Sequence, residues 1–552
     1  MHRTDRPGPE VAPTSVDLAA WRELDWRFAL PAGELRTVAF VGPASAGEVD
    51  ALRALGSNVV VIGDDATERA PATGGTADVA IVTTATTGAL DGAARAVRPG
   101  GWVLVRVTAV LRPRRGVQVD TVPRWERRLR ATGLGDVTTF WHAPSRATCS
   151  YIVSTDDHDG LRFVLKRWRG TRFGLAKSLV ARALLRAGLF PYATRDVTVA
   201  GRAAGGEGTG PSRPLATAQA SAAGADSVVL LTPWFEASRH VVAIVLRRGT
   251  PACVVKIPRR PGDDSGIRRE TESLRRLPAL SPAAADRAPR VLAAADAAAP
   301  DAAADPHAAD GCPALVEEAL AGEALGPERV RASPARALRV GMALVDVMPV
   351  TGNTLADAGW YHRLFEAPLE RFRRDAPAEI RPGELVARTH ERLRPLRGAL
   401  IPLVFEHGDL GHPNLVLRPG GRLAALDWER SEERGLPGHD AVFLLTYLAE
   451  ARRGAFAIDD RLRSFDAAFL GTAAWARDAL AGHLARRQVD EALLPPLLLA
   501  CWARSACGLL DRLAGSGSGS DDGAVAVDAE VVLQDRDVTL WRHVDEVYGR
   551  LL

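Results

Sequence analysis

Short apolar runs alternate with helix-length patterns along the first third of the chain. TVAFVG (37–42), NVVVIG (58–63) and DVAIVTTAT (78–86) have the length and β-branched content of buried strands. Strands and helices that alternate in this way form a sheet covered by helices on both faces. We therefore predict a doubly wound, Rossmann-like domain over residues 31–200, after an extended or disordered N-terminus at 1–30.

The alternating pattern stops at residues 201–227, which combine Gly, Ala, Ser and Pro with few large apolar side chains. Such a composition buries too little apolar surface to order itself, so this stretch is predicted to be a linker. A second structured region follows over 228–552. Two further runs of small residues, 296–311 and 514–524, are interpreted as surface insertions.

Composition narrows the possible partners and the location. The 552 residues are 47% hydrophobic and 25% charged, with a formal net charge of +3, which implies no obligatory nucleic-acid partner. The N-terminus has no apolar run typical of a signal peptide, and the apolar stretch 493–503 is short and broken by proline. We expect a cytoplasmic protein. Its five cysteines form no CxxC pair, which argues against disulfides or a zinc knuckle.

A basic amphipathic stretch occupies residues 161–195. The pattern favours helices that pack an apolar face on the domain and leave arginines in water. A weak contact with an anionic membrane surface or a lipid-linked substrate stays open as an alternative. Nucleic-acid binding is disfavoured because aromatic residues do not interleave with the cations.

Two residue types are rare enough to be informative. The chain has three asparagines and three lysines, far below ordinary usage, whereas arginine is abundant. The few that remain are therefore enriched for positions that need that side chain. Asn414 and Lys256 are the two that fall in motifs with a chemical interpretation.

Lys256 lies in HVVAIVLRRGTPACVVKIPRR (240–260), which predicts two strands joined by a turn. The helical pattern IRRETESLRRL (267–277) follows. A lysine on a strand, held by a helical glutamate, grips the α- and β-phosphates of a nucleotide in kinases. Glu270 is preferred over Glu272 as that partner.

The stretch PALVEEALAGEAL (313–325) predicts a short strand that ends in Glu317 and Glu318. A small-residue turn follows these two acids. We interpret this stretch as the connection between two lobes, where main-chain groups meet an adenine.

The stretch FEHGDLGHPNLVL (405–417) places Asn414 five residues after Asp409, and LAALDWE then places Asp427 at the end of the next predicted strand. Phosphoryl transfer needs one carboxylate near the nucleophile and oxygen ligands that hold Mg²⁺ against the phosphates. Asp409, Asn414 and Asp427 provide this set. The spacing therefore predicts a site for Mg²⁺ and ATP or GTP.

These motifs make residues 228–552 resemble the aminoglycoside phosphotransferase and choline kinase-like family of small-molecule kinases. The resemblance rests on HGDLGHPN, LDWE, GLPGHDAVFLL (435–445) and, more weakly, VVKI with RRETESLRRL. It implies a bilobal protein-kinase-like fold, with an N-lobe at about 228–320 and a helical C-lobe at about 321–552. The predicted fold class is thus α/β plus α+β.

The resemblance also implies roles for individual residues. Asp409 is the expected catalytic base, and Asn414 and Asp427 are the expected Mg²⁺ ligands. Lys256 and Glu270 are the expected phosphate-binding pair. Two further residues have expected supporting roles: His407 supports the loop, and Asp440 pins it.

Residues 35–155 resemble S-adenosylmethionine-dependent methyltransferases through RPGGWVLV and the acids Asp64 and Asp65 after the second strand. In that family such an acid binds the ribose. The first turn, GPASAG (42–47), lacks the GxGxG pattern that lets the backbone approach the cofactor. We therefore favour a degenerate domain with a structural or docking role and leave S-adenosylmethionine binding open.

The leading hypothesis is transfer of a nucleotide γ-phosphate to a hydroxyl of a small molecule. TPWFEASRH (232–240) has no glycine where a phosphate-covering turn is expected, although Ala237 and Ser238 are small, so a non-catalytic binding scaffold is one alternative. Methyl transfer by the first domain is another. The acids Glu429, Glu432 and Glu433 would attract a cationic substrate or form solvated surface, and the oligomeric state is left open.

Overall fold

The computed structural model describes most of the chain in two compact units. Unit 1 contains Met1–Gly262 and Leu292–Ala319, and unit 2 contains Asp263–Val291 and Leu320–Leu552. The residues that the structure describes are 18–31, 35–63, 75–84, 86–108, 121–167, 174–205, 210–222, 224–232, 238–295, 314–514 and 529–551.

A mixed sheet dominates unit 1. Within the described residues its twelve strands are β1 (Thr37–Val41), β2 (Asn58–Ile62), β3 (Ala77–Val82), β4 (Val97–Thr108), β5 (Gly135–Ala143), β6 (Tyr151–Ser154), β7 (Asp196–Arg202), β8 (Ser227–Leu231), β9 (His240–Arg247), β10 (Thr250–Pro258), β11 (Val291–Ala295) and β12 (Ala314–Glu318). Their order across the sheet is β11-β12-β10-β9-β8-β6-β5-β7-β4-β3-β1-β2. The strands of the predicted Rossmann-like domain and those of the predicted N-lobe thus share one sheet.

The helices of unit 1 cover both faces of the sheet. They are α1 (Leu18–Arg22), α2 (Ala46–Ala54), α3 (Thr87–Ala96), α4 (Val122–Ala131), α5 (His158–Arg167), α6 (Gly174–Arg186), α7 (Phe190–Ala193) and α8 (Arg213–Ser221). On β1, Val38 and Phe40 pack with α1 and α2, whereas Ala39 and Val41 pack with α3, α4 and α5. This period of two confirms the prediction of a doubly wound sheet.

Only part of this sheet is parallel. β1 pairs in parallel with β2 and β3, and β3 pairs in parallel with β4. β7 runs antiparallel to both β4 and β5, which differs from an all-parallel arrangement. β7 lies between β4 and β5, which are consecutive in the sequence.

The predicted linker contains ordered structure. Within 201–227, helix α8 buries Pro214, Ala216 and Ala218, so small side chains here allow close packing. The described parts of this stretch therefore hold more structure than its composition predicts. The domain boundaries themselves stay predictions.

Unit 2 is mainly helical. Its helices are α9 (Ser265–Leu280), α10 (Pro282–Ala285), α11 (Pro327–Ala332), α12 (Pro334–Asp346), α13 (Ala367–Asp375), α14 (Pro382–Leu393), α15 (His439–Arg453), α16 (Ile458–Phe469), α17 (Trp475–Arg486), α18 (Leu494–Ala514), α19 (Ala529–Gln534) and α20 (Arg536–Glu546). Its short strands are β13 (Glu323–Ala324), β14 (Val350–Asn353), β15 (Pro402–Glu406), β16 (Leu415–Leu417), β17 (Leu423–Ala425) and β18 (Glu432–Gly435). This composition confirms the mixed α/β fold class with a helical C-terminal part.

The apolar stretch that begins near residue 493 is part of the core of unit 2. Within the described residues, Glu491–Leu510 is the one helical segment long and apolar enough to cross a membrane, and 89% of it is buried inside the protein. The side chains that bury it come from the other helices of the same hydrophobic cluster. The segment therefore has the surroundings of a core helix.

Candidate active site

A β-hairpin brings Asn414 and Asp427 close together. Leu415 of β16 pairs with Ala425 of β17, and the Leu426 backbone N–H donates to the Asn414 carbonyl at 2.8 Å. Asn414 directly precedes β16 and Asp427 follows β17, so the two residues lie at the same end of the hairpin. Asp427, predicted to end a strand, lies two residues after β17.

Asp409 joins them through its hydrogen bonds with Asn414. The Asn414 side-chain amide donates to the Asp409 carbonyl at 3.1 Å and to Asp409 Oδ2 at 3.2 Å. Asn414 is 7% exposed, so its amide is held within the fold. The five-residue spacing thus produces the juxtaposition that the sequence predicts.

His407 connects the loop of Asp409 with the loop of Asp427. Its Nε2 lies 2.8 Å from the carbonyl oxygen of Leu426, and its Nδ1 accepts from the Asp409 backbone N–H at 3.2 Å. A ring with Nε2 as donor and Nδ1 as acceptor satisfies both contacts. The imidazole is fully buried, so it supports the loops from beneath rather than from solvent.

Asp440, in the first turn of α15, anchors the start of the same loop. Its two carboxylate oxygens accept from the backbone N–H groups of His407 at 2.8 Å and Gly408 at 2.9 Å. Burial, followed by the nearby charge of Glu406, raises the pKa of Asp440 to about 7. The structure places Asp440 beneath the loop, where it contacts the backbone.

Glu406 and Arg504 form a buried ion pair behind the loop. Arg504 Nη1 and Nη2 donate to the two Glu406 oxygens at 2.9 Å each, and Glu406 has no exposed side-chain area. The Leu436 backbone N–H also donates to Glu406. Glu406 therefore ties β15 to α18 and to the chain after β18.

Glu270 binds the backbone beside Asp427. Glu270 Oε1 accepts from the Trp428 backbone N–H at 2.8 Å, and Glu270 is fully buried. Glu272, the alternative that the sequence analysis ranks second, is exposed. Helix α9 thus contributes a carboxylate to the Asp427 loop.

Lys256 lies in unit 1, on β10. Its Nζ is 3.7 Å from Glu317 Oε1, and both side chains are buried. Val254 pairs with Glu317 across β10 and β12, so Lys256 and Glu317 are diagonal neighbours on one face of the sheet. The structure therefore assigns Glu317 a side-chain contact with Lys256 that the sequence analysis missed. The pairing of Lys256 with Glu270 stays a prediction.

Glu318 ends β12, and the chain passes into unit 2 at Leu320. The role of 313–325 as the connection between two lobes stays a prediction. In the stretch without glycine, Ser238 is described and Ala237 lies outside the described residues. Nucleotide contacts of Glu317 and Glu318 stay predictions.

Arg536 of α20 lies within electrostatic reach of Asp409. Burial lowers its pKa, but Glu450, Asp537 and more weakly Asp409 raise it, and the net direction is upward. Arg536 Nε binds Glu450 Oε1 at 3.0 Å. A guanidinium fixed by other carboxylates thus contributes positive potential at the predicted base.

Among the acids that follow Asp427, Glu432 and Glu433 have arginine partners. Glu432 lies 2.8 Å from Arg363, and Glu433 lies 2.8 Å from Arg276. These ion pairs compensate the charge that would attract a cationic substrate. The geometry therefore favours the surface interpretation for Glu432 and Glu433.

The residues at the hairpin fit the ligand chemistry of Mg²⁺. Mg²⁺ prefers oxygen ligands and binds one or two carboxylates together with substrate phosphates and water. Asn414 and Asp427 offer an amide oxygen and a carboxylate at one end of the hairpin, with Asp409 adjacent. In the described part of the chain, no group of three or more His, Cys, Asp and Glu side chains could hold a metal ion.

The sequence of this region matches a known enzyme family. Residues 236–483 match the model of the phosphotransferase enzyme family. Over these residues the chain is similar to phosphotransferases. The match confirms the resemblance inferred from HGDLGHPN and LDWE. No curated protein matches the chain in sequence.

Solved structures similar to this chain include a phosphotransferase, a kinase and a methyltransferase. Aminoglycoside phosphotransferase APH(4)-Ia is 12% identical, with a TM-score of 0.37, over 61% of this chain and 97% of its own. Choline kinase LicA from Streptococcus pneumoniae is 12% identical, with a TM-score of 0.34, over 56% and 89%. Phosphoethanolamine N-methyltransferase 2 from Haemonchus contortus is 13% identical, with a TM-score of 0.21, over 33% and 52%.

In unit 1, the predicted methyltransferase-like turn is followed directly by a residue that forms a buried ion pair. Glu48, in the first turn of α2, is fully buried, binds Arg106 of β4 and accepts from Trp26 Nε1 at 3.2 Å. Asp64 and Asp65, the predicted ribose-binding acids, lie outside the described residues. S-adenosylmethionine binding stays a prediction.

Some of the residues that support the loop of Asp409 were not predicted from the sequence. Glu406, Arg504 and the Trp428 backbone N–H all act through contacts between residues far apart in the chain. Glu406 carries one usable signal, because a charged residue inside the apolar strand PLVFE must find a partner when it is buried. The sequence holds no comparable signal for Arg504, one of many arginines.

Proposed function

We propose that the chain transfers the γ-phosphate of ATP or GTP to a hydroxyl group of a small molecule in the presence of Mg²⁺. The observation that carries this proposal is that Asp409, Asn414 and Asp427 lie together at one end of the β16–β17 hairpin, where His407 supports both loops. We call these three residues the junction. The match of residues 236–483 to a phosphotransferase family supports the reaction class.

Each residue of the junction has a proposed task. Asp409, half-buried at the loop surface, orients the acceptor hydroxyl and accepts its proton as the phosphorus–oxygen bond forms. Asn414 and Asp427 are the proposed Mg²⁺ ligands. When bound, the metal neutralises charge on the nucleotide phosphates.

The supporting residues keep these groups in place before substrate arrives. Asp440 fixes the backbone at His407 and Gly408, and Glu270 fixes the backbone at Trp428. Lys256 is proposed to bind the α- and β-phosphates, with Glu270 as its partner. Catalysis of phosphoryl transfer depends mainly on the positioning of groups and on electrostatic stabilisation. These supporting contacts are therefore expected to contribute a large part of the rate enhancement.

The decisive experiment measures transfer of radiolabelled γ-phosphate from ATP or GTP to a panel of amino alcohols, aminoglycosides and other hydroxyl compounds. The natural chain is compared with Asp409→Asn and with Asp459→Asn, an exposed carboxylate-to-amide control on α16. We expect transfer by the natural chain and by Asp459→Asn and strong suppression in Asp409→Asn. Undiminished transfer by Asp409→Asn would remove Asp409 from the mechanism. Nucleotide binding with no transfer to any acceptor would favour a non-catalytic binding role.

A further inference from the structure

Helix α6 presents an apolar stripe to solvent. Leu179 and Val180 are 56% and 60% exposed. Ala176 and Ala183 lie three or four residues from them on the same helical face and are exposed as well. The outward face of this helix is therefore apolar, the reverse of an ordinary surface helix.

The opposite face attaches α6 to the fold. Ser178 is 1% exposed, and its hydroxyl donates to the Leu165 carbonyl of α5 at 2.6 Å. Leu185, seven residues later, is 5% exposed and packs in the core cluster of the sheet. Because the buried face is already occupied, the outward stripe is a surface of the folded protein.

Exposed apolar residues are concentrated around this helix. In the described part of the chain thirteen large hydrophobic side chains are exposed, and Leu179, Val180, Leu189 and Tyr192 fall within fourteen consecutive residues. We call these four side chains the α6 patch. Such a concentration indicates an interaction surface rather than scattered exposure.

The stretch of sequence that contains the α6 patch carries charges of one sign. From Gly160 to Arg195 the sequence has nine Lys and Arg residues and no Asp or Glu. At 100° per residue, Lys177 lies on one flank of the outward stripe and Arg182 and Arg186 lie on the other. Among the described residues these three cations form no ion pair, so their charges are available to a partner.

We propose that the α6 patch docks on the surface of a bilayer that contains anionic phospholipids. An apolar stripe bordered by cations matches the boundary between acyl chains and phosphate groups, and a tyrosine such as Tyr192 is favoured at that depth. A second copy of this chain would bring the same cations face to face, which opposes association. A nucleic acid would match the cations but leave the apolar stripe without a partner.

Vesicle co-sedimentation of the full chain tests this proposal. One set of vesicles is phosphatidylcholine alone, and the other contains phosphatidylglycerol in addition. One variant removes the apolar arm, Leu179→Glu with Val180→Glu. Another removes the charged arm, Lys177→Gln with Arg182→Gln and Arg186→Gln. Leu355→Glu, at a side chain 68% exposed in unit 2, is the matched control.

We expect the natural chain and the control to bind phosphatidylglycerol vesicles and not pure phosphatidylcholine, with binding weakened by salt. A cation near an anionic surface contributes about 1 kcal/mol, which is about fivefold in the partition coefficient for each charge removed. The charged-arm variant should therefore lose about a hundredfold.

Three results would overturn the proposal. Equal binding to both vesicle types would show that anionic lipid does not contribute to binding. Equal binding by the control and the apolar-arm variant would show that the α6 patch does not contact the bilayer. A natural chain that stays off the vesicles and sediments as a dimer, with a monomeric apolar-arm variant, would identify a second copy as the occupant.

Discussion

Gly408 provides a sharp test of how tightly the loop of Asp409 is held. Its φ of 84° lies in the left-handed region that favours glycine, and its N–H donates to Asp440. A Cβ added here would lie 2.9 Å from the carbonyl carbon of Arg430 and nearer still to its oxygen. Gly408→Ala therefore strains the backbone and collides with a neighbouring chain segment.

The expected cost follows from these two terms. Left-handed backbone costs a residue with a Cβ about 1–2 kcal/mol. Overpacking against atoms that must move costs about 1–3 kcal/mol. If the loop shifts to relieve the contact, the adjacent Asp409 shifts with it, and a displacement of about 1 Å at a reacting group lowers the rate about a hundredfold. If the loop keeps its position, we expect a loss of about 2–5 kcal/mol in unfolding free energy. If the loop shifts instead, we expect the loss of about a hundredfold in the rate of transfer.

Gly411 supplies the matched control three residues away. A Cβ at Gly411 meets no atom within 4 Å, and its φ lies outside the left-handed region. Gly411→Ala should therefore be neutral or stabilise by about 0.4–1 kcal/mol. Urea unfolding and phosphoryl transfer are measured for both variants. Equal effects of the two substitutions would refute the structural account of the loop.

Three further predictions test the buried charges. Arg504→Leu should lower the unfolding free energy by about 3–5 kcal/mol, because Glu406 loses its buried partner, and adding Glu406→Gln should restore much of it in urea titrations; no rescue contradicts the pairing. Stability should fall as pH rises through about 7, since the pKa of Asp440 is raised in the folded state, and Asp440→Asn should flatten that slope; an unchanged slope assigns it elsewhere. Asp25→Ala should cost about 3–5 kcal/mol in thermal or urea unfolding, because Arg259 is fully buried against it; a loss below about 1 kcal/mol contradicts this.

The sequence predicts most of what depends on local pattern. The strands β1 to β4 and the helices between them follow from apolar runs and their spacing. Asn414 could be assigned because asparagine is rare in this chain and its spacing from Asp409 suits one loop. The rarity of a residue type does not by itself identify a functional residue. Asn353 is another of the three asparagines, and its side chain accepts hydrogen bonds from the backbone N–H groups of Leu355 and Ala356 in a turn.

The remainder depends on contacts between distant residues. No local sequence pattern encodes the antiparallel insertion of β7 between β4 and β5. The contact of Lys256 with Glu317 depends on the register of β10 and β12. The small residues of α8 gave this stretch the composition of a linker. In the structure the same small side chains allow the helix to pack closely.

The most direct test of the central claim is the thermal unfolding midpoint with Mg²⁺ and ATP or GTP, for the natural chain and for Asp427→Ala. A ligand at about a hundred times its dissociation constant stabilises the folded state by about 2.7 kcal/mol, a shift of roughly 5 °C or more. We predict that Mg²⁺ with nucleotide raises the midpoint of the natural chain and leaves that of Asp427→Ala unchanged. A rise with S-adenosylmethionine and none with either nucleotide would contradict the account.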